Sequence, residues 1–333
     1  MDLVDTLRKK IVVLEEGEYI PGLKAVLLHI ETAFRHLARG QESDDDTAFT
    51  DAIYRTNQAF EGSVKEAYRV LAGQNPAKKR PYDIENYLEK NNIFRSRVLR
   101  QLTTYRTEWR NPSAHDYKLD FDESEAFLAI VSVSAFACLL LDQIAERLAY
   151  IRSQAEAEAK KVELAANLAE TMNADLLVRV TDLLAQFCAI HLPSSNSLSG
   201  KPTESQVIGA LHGFLASAAP ELSVLTEARL DTEKHFRADL LVAREEERLV
   251  IELKRRLLRQ SYANAVAQVE QYLLVGGIKC GIVLFLPDAP SDMERLELAV
   301  SSIGGRIVIL SPLGSNLSLN RTASGPSKPP SAH

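Results

Sequence analysis

Apolar residues recur at three-and-four spacing through Leu3–Glu15, Leu23–Leu37 and Ala48–Leu71, a period that predicts three amphipathic helices. The acidic run Asp44-Asp45-Asp46 before Thr47 suits the first turn of the third, where the helix dipole favours negative charge. Gln74-Asn75-Pro76 and Lys79-Arg80-Pro81 punctuate a loop. Further helical pattern covers Ile84–Glu89 and Phe94–Trp109, and Arg110-Asn111-Pro112 is expected to break the second stretch at once. From Glu123 a long apolar helix runs to Ile151. It grades into the Ala/Glu/Lys-rich stretch Gln154–Glu170, whose strong helix propensity and small apolar surface suggest a spacer or coiled-coil arm. Ala174–Ile190 is another amphipathic helix, and the Ser/Pro/Gly-rich segment Pro193–Pro202 marks the cleanest boundary in the chain.

Beyond that boundary the period changes. A helix over Glu204–Ala216 precedes a strand-like Leu222–Leu230. Two apolar runs, Ala238–Ala243 and Leu249–Lys254, then flank the charged connector Arg244–Arg248. A helix at Tyr262–Leu274, a continuous apolar strand at Gly281–Phe285, a helix at Ser291–Val300 and a buried strand at Arg306–Leu310 follow. The order predicts an α/β domain with a mixed, partly parallel sheet. Residues 313–333 carry the composition of a disordered tail. The expected organisation is therefore a helical domain over 1–150, a helical spacer over 151–192, a linker over 193–203 and an α/β domain over 204–312.

The connector reads as a hairpin. A turn centred between Glu245 and Glu246 sets Leu241 opposite Val250 and Asp239 opposite Glu252. Directly opposed side chains lie ~5 Å apart, where two carboxylates repel. The strand period of two adds Lys254 to the same face and sends Ile251 and Leu253 into a core. A divalent cation would reverse the repulsion, and hard oxygen ligands suit Mg²⁺ or Mn²⁺.

Composition narrows the class. The 333 residues suffice for two domains with separate cores. A formal net charge of −6 argues against a broad nucleic-acid-coating surface, although Lys254-Arg255-Arg256 with Arg259 makes a local basic strip. No uninterrupted apolar run approaches ~18 residues and the N-terminus lacks a signal-peptide pattern, so the expectation is a cytoplasmic protein with no membrane partner. Cys138, Cys188 and Cys280 stand at no ligand spacing and read as buried thiols. His29 and His36, two turns apart on one helix, read as packing rather than paired ligands, and Tyr105 and Trp109 as core of the helical domain.

Asp239 followed by Glu252-Leu253-Lys254 on the next strand resembles the core of the PD-(D/E)xK, or restriction-endonuclease-like, nucleases, over roughly Glu204 to Leu310. Gln268 and Tyr272, four apart and so on one helix face, resemble the QxxxY element of RecB-type members. Arg237-Ala238 stands where the name-giving proline would be. The resemblance implies metal-dependent phosphodiester hydrolysis, with DNA the expected substrate and endonuclease action favoured over exonuclease. It gives Asp239, Glu252 and the Leu253 carbonyl as ligands of one or two Mg²⁺ (or Mn²⁺), with Glu204 as a candidate further acid. Lys254 would orient or help deprotonate the attacking water, Gln268 and Tyr272 would complete the site, and Arg255 and Arg256 would touch nucleic acid.

The sequence Arg110-Asn111-Pro112-Ser113-Ala114-His115-Asp116-Tyr117 resembles the Arg-x4-6-His motif of HEPN domains, all-helical modules that include metal-independent ribonucleases. An arginine can hold a phosphate bidentately and a histidine can move a proton near neutral pH. The resemblance implies catalytic roles for Arg110 and His115, an assisting Asn111 and a homodimer formed through the helical domain. It also makes Tyr117 a modification site for a partner enzyme of the kind that neutralises some HEPN toxins. Two nuclease-like domains in one chain resemble prokaryotic antiviral-defence or abortive-infection effectors. Three readings follow: both domains cut; one cuts while the other senses or dimerises; or the chain is a non-enzymatic nucleic-acid-binding or toxin–antitoxin interaction protein.

Overall fold

The structure is a computed structural model that describes residues 2–14, 16–43, 45–115, 118–192, 201–231, 236–255 and 259–315, with the backbone alone at His115, Arg259 and Gln260. The chain divides into two compact units, one of residues 1–152 with 195–210, the other of 153–194 with 211–333.

The first unit is helical. α1 (Leu3–Val12), α2 (Ile20–Ser43) and α3 (Thr47–Leu71) precede α4 (Pro81–Lys90) and α5 (Ser96–Tyr105). Asp2 caps α1 by accepting the Val4 N–H at 2.9 Å, and Pro81 opens α4 at a position whose N–H needs no partner. The core forms around Phe60 of α3, whose ring stacks on Tyr105 at 4.8 Å and tilts against Phe136 at 5.4 Å. Tyr105 is fully buried and Trp109 packs against the same core, the places the sequence suggests for them.

The expected break at Arg110-Asn111-Pro112 does not occur. After α5 the helix widens into a π turn, Arg106–Arg110, and continues as α6 (Asn111–His115). The Asn111 N–H reaches back five residues to the Arg106 carbonyl, so the wider turn absorbs the hydrogen bond Pro112 cannot donate. α7 (Glu123–Ala159) follows. Among the described residues it alone is long and apolar enough to cross a membrane by length and composition, yet half of its apolar window is buried in the protein, as in an ordinary core helix. α7 approaches Gly209 so closely that a Cβ there would lie 2.1 Å from the Glu146 carbonyl oxygen.

The second unit takes in what the sequence suggests is a spacer. α8 (Lys161–Asn167), a 3₁₀ turn at Ala169–Thr171 and α9 (Leu176–Gln186) are helical as expected, but α9 packs against the sheet. The reason is its buried stripe of Leu177, Val180, Leu183 and Leu184, which needs an apolar partner. α10 (Glu204–Ala218), which begins in the first unit, leads to β1 (Ser223–Arg229), β2 (Arg237–Arg244) and β3 (Glu247–Lys254). α11 (Arg259–Gly276), β4 (Cys280–Phe285), β5 (Met293–Val300) and β6 (Gly305–Pro312) complete it. The six strands form one mixed sheet in the order β1-β2-β3-β4-β6-β5. β1, β2 and β3 make an antiparallel meander, β4 runs parallel to both β3 and β6, and β5 closes the far edge antiparallel to β6.

β5 replaces the helix expected over Ser291–Val300. Leu296, Leu298 and Val300 alternate with the exposed Arg295, Glu297 and Ala299, a period of two that suits an edge strand. Val250, Val283, Ile307 and Ile309 share a core with Ala265, Val269 and Leu273 of α11. None of α9 joins that cluster, although α9 packs on the same three strands, β3, β4 and β6. The ends of β2 and β3 that carry the acidic residues thus lie under α11.

Candidate functional site

The hairpin turns at Glu245-Glu246, with Arg244 opposite Glu247 and Leu241 opposite Val250, the register anticipated from the sequence. Glu245 takes a left-handed φ of +54°, which a two-residue hairpin turn demands of its first residue. The paired register runs as far as Leu240 opposite Ile251. One step further, where Asp239 meets Glu252, a side chain takes over from the backbone: Asp239 Oδ2 accepts the Leu253 N–H at 2.7 Å.

Glu252 is almost fully buried, its side chain 5% exposed, and Oε1 accepts from Lys254 Nζ at 2.7 Å. Glu252 Oε2 is buried and accepts no hydrogen bond from the described residues. Lys254 Nζ also donates to Gln268 Oε1 at 3.0 Å, and Gln268 Nε2 donates to Tyr272 Oη at 2.5 Å. Burial pushes the Tyr272 phenol up to about 12, and the neighbouring Glu252 and Asp239 carboxylates add to the shift, so the hydroxyl stays protonated at neutral pH. The two α11 residues meet the strand-borne lysine because positions four apart share a helix face.

One further acid belongs to this end of the sheet. Glu227 lies on β1 between the register pairs Thr226–Leu240 and Ala228–Ala238, hence across from Asp239. It adopts φ +48° and accepts from Arg237 Nη1 at 2.9 Å, which ties Arg237 to the neighbouring strand. A positive φ on a non-glycine residue costs about 1–2 kcal/mol, and such strain collects at functional sites. Nothing in Ser-Val-Leu-Thr-Glu-Ala-Arg signals it.

Glu204 is exposed in the first turn of α10 and Arg255 is exposed past the end of β3, while Arg256 and Tyr117 lie outside the described residues. No group of three or more His, Cys, Asp or Glu residues gathers at metal-holding distance among the described residues. A cleft of about 370 Å³, lined by Asp175, Glu247, Lys279, Cys280 and Arg306 among others, sits at the opposite end of the sheet and shares no residue with this site.

In the helical unit, Arg110 is held by a polar network. Tyr105 Oη reaches Thr56 Oγ1 at 2.7 Å and Asn57 Oδ1 at 2.9 Å. Asn57 Nδ2 donates to Ser113 Oγ at 2.8 Å, and that hydroxyl lies 2.7 Å from the Trp109 carbonyl and 3.2 Å from that of Arg110. Asn57 thereby fixes the π turn to α3, a positioning role with no signature in the sequence. Arg110 Nη1 donates to Asn111 Oδ1 at 3.1 Å, and Nη2 lies 3.8 Å from Glu61 Oε1. The arginine lines a cleft of about 530 Å³ together with residues of α2 and α3. The backbone of His115 continues α6, and its side chain lies outside the described structure.

Comparison of the chain with protein-family models, with curated proteins and with solved structures gives no significant match.

Proposed function

We propose that the chain is a two-domain nuclease whose second unit hydrolyses phosphodiester bonds with the aid of a divalent cation. The observation that carries this reading is the continuous polar chain from Tyr272 through Gln268 and Lys254 to the buried Glu252, beside an Asp239 that closes the β2–β3 end with its side chain. The order α10, antiparallel β1-β2-β3, α11, parallel β4 also supports a restriction-endonuclease-like domain. The donor set fits Mg²⁺ or Mn²⁺. Asp239, Glu252 and the Leu253 carbonyl are hard oxygens, and Mg²⁺ commonly takes only one or two carboxylates and keeps several waters. Such an ion would supply phosphate polarisation and an acidified water.

The chain's own groups do the rest. Lys254, aimed by two hydrogen bonds, places a fixed positive charge where negative charge grows on the phosphate. Gln268 keeps that ammonium oriented, and the protonated Tyr272 buttresses the amide. DNA is the substrate expected of this unit. A second reading, metal-independent RNA cleavage by Arg110 and His115 in a dimeric helical unit, is favoured by the opening of Arg110 onto a cleft.

The test is a cleavage assay on DNA and on RNA, each with Mg²⁺ and with EDTA. Loss of Mg²⁺-dependent DNA cleavage by roughly 10²–10³-fold in Glu252→Gln, the scale of removing one preorganised electrostatic group, is expected. Loss of EDTA-resistant RNA cleavage in His115→Ala would support the second reading. Full activity in Glu252→Gln would refute the first.

A further inference from the structure

The cleft beside Arg110 contains more than the motif accounts for. Asp51, Tyr54, Arg55, Gln58 and Glu61 recur along α3 at helical spacing and line it from one side, with His36 of α2 joining them. His36, which reads as a packing residue in the sequence, therefore faces this space.

The lining carries two guanidinium groups, Arg55 and Arg110, and two carboxylates, Asp51 and Glu61, with Arg35 and Arg39 close by. Burial above all, and then Arg39, Arg55 and Arg35, hold the His36 imidazole below its ordinary value, with Asp51 opposing; burial and Arg55 act in the same sense at His29. The two carboxylates of the cleft are engaged: Asp51 accepts from Arg39 at 2.8 Å, and Glu61 stands 3.8 Å from Arg110. Arg55 is exposed and forms no ion pair with a described residue. Two guanidinium groups, Arg55 and Arg110, thus share one opening with Tyr54, which is 53% exposed. A volume of about 530 Å³ lies within the roughly 300–1,000 Å³ typical of small-ligand clefts.

We infer that this cleft is a nucleotide-phosphate site. Arg55 and Arg110 hold the phosphate, and Tyr54 offers a face on which the attached base stacks. Guanidinium groups match phosphate geometry bidentately, and base–aromatic stacking is tolerant of base identity. A single-stranded RNA backbone and a free mononucleotide share this chemistry. The inference deepens the reading of the helical unit as an RNA-acting module and rests on it for the substrate's identity, but phosphate binding needs no cleavage.

The experiment uses the full chain in EDTA. Binding of a labelled single-stranded RNA hexamer is followed by fluorescence polarisation, and adenosine monophosphate binding by calorimetry. Arg55→Gln is expected to weaken binding about tenfold or more, and to flatten the log–log salt dependence of hexamer binding by about 0.7, the value for one phosphate fewer neutralised. Tyr54→Ala should weaken binding with the salt slope unchanged, and Arg55→Lys should recover part of the affinity. Arg55 is exposed, and an unchanged Tm certifies that the variant is folded. Arg55-dependent binding of either ligand supports the site, and the arm that binds tells which source supplies the phosphate. Wild-type affinity in Arg55→Gln, or binding of neither ligand by the wild type, overturns it. Arg55-dependent binding without RNA cleavage would sink the ribonuclease reading alone, whereas RNA cleavage undiminished in Arg55→Gln with unchanged binding would sink the cleft alone.

Discussion

Lys254→Met offers the sharpest test of the acidic site. The substitution keeps the length and apolar stem of the side chain but leaves the Glu252 carboxylate, 5% exposed, without its ammonium partner at 2.7 Å. Breaking a buried pair from one side costs about 3–5 kcal/mol. Lys254 is itself 27% exposed, so some water reaches the pair and the lower end, about 3 kcal/mol, applies. For a unit of this size each kcal/mol moves Tm by about 2–4 °C, so a fall of about 6–12 °C is expected in EDTA. The double variant Glu252→Gln/Lys254→Met removes the buried carboxylate charge as well and should recover most of the loss, since deleting both partners is far milder than deleting one. A divalent cation should also rescue the single variant, by about 2.7 kcal/mol at a hundred times its Kd. Scanning calorimetry of the wild type, single and double variants, with and without Mg²⁺, gives all these values. A single variant within about 1 kcal/mol of wild type, or a double variant no more stable than the single, would refute the argument that Lys254 neutralises a buried charge.

Two further predictions concern the rest of the molecule. Gly209→Ala drives a Cβ to 2.1 Å from the Glu146 backbone oxygen, which no rotamer can relieve, so a loss of at least the ~1–3 kcal/mol typical of overpacking is expected; an unchanged urea midpoint would show that α7 and α10 can part there freely. His191 is buried and its imidazole is held below the usual 6.5, burial being the main cause. Between the folded and unfolded values the unfolded chain binds more protons, so this contribution is complete above pH 6.5 and is lost as pH falls below it. Tm measured from pH 7.5 downward should therefore drop less in His191→Gln than in wild type; parallel curves would exclude His191 as a source of the dependence. Glu66 and Glu85, whose carboxyls burial raises, act in the opposite sense but are common to both proteins.

The legible parts of this chain are those governed by short-range periodicity. The hairpin register follows from a two-residue turn between alternating runs, and the meeting of Gln268 and Tyr272 follows from their four-residue spacing. Ser291–Val300 misleads because four charged residues interspersed with apolar ones fit either period, and only pairing with β6 decides. Pro112 suggests a helix end because the sequence does not reveal a π turn placed ahead of it. Glu227 and Asn57 are invisible for a related reason. The first is brought across from Asp239 only by strand pairing, and the second owes its role to hydrogen bonds spanning 48 and 56 residues of chain.

The two margins of the sheet carry a consequence of their own. β5 presents Arg295 and Glu297 to solvent, and β1 carries Glu227 at φ +48°, a backbone conformation outside the extended region of a regular strand. Charges and local distortion at an outermost strand are the usual means by which a sheet is kept from growing onto its neighbours. Both outermost strands of the six-stranded sheet thus carry features that oppose edge-to-edge pairing with another chain.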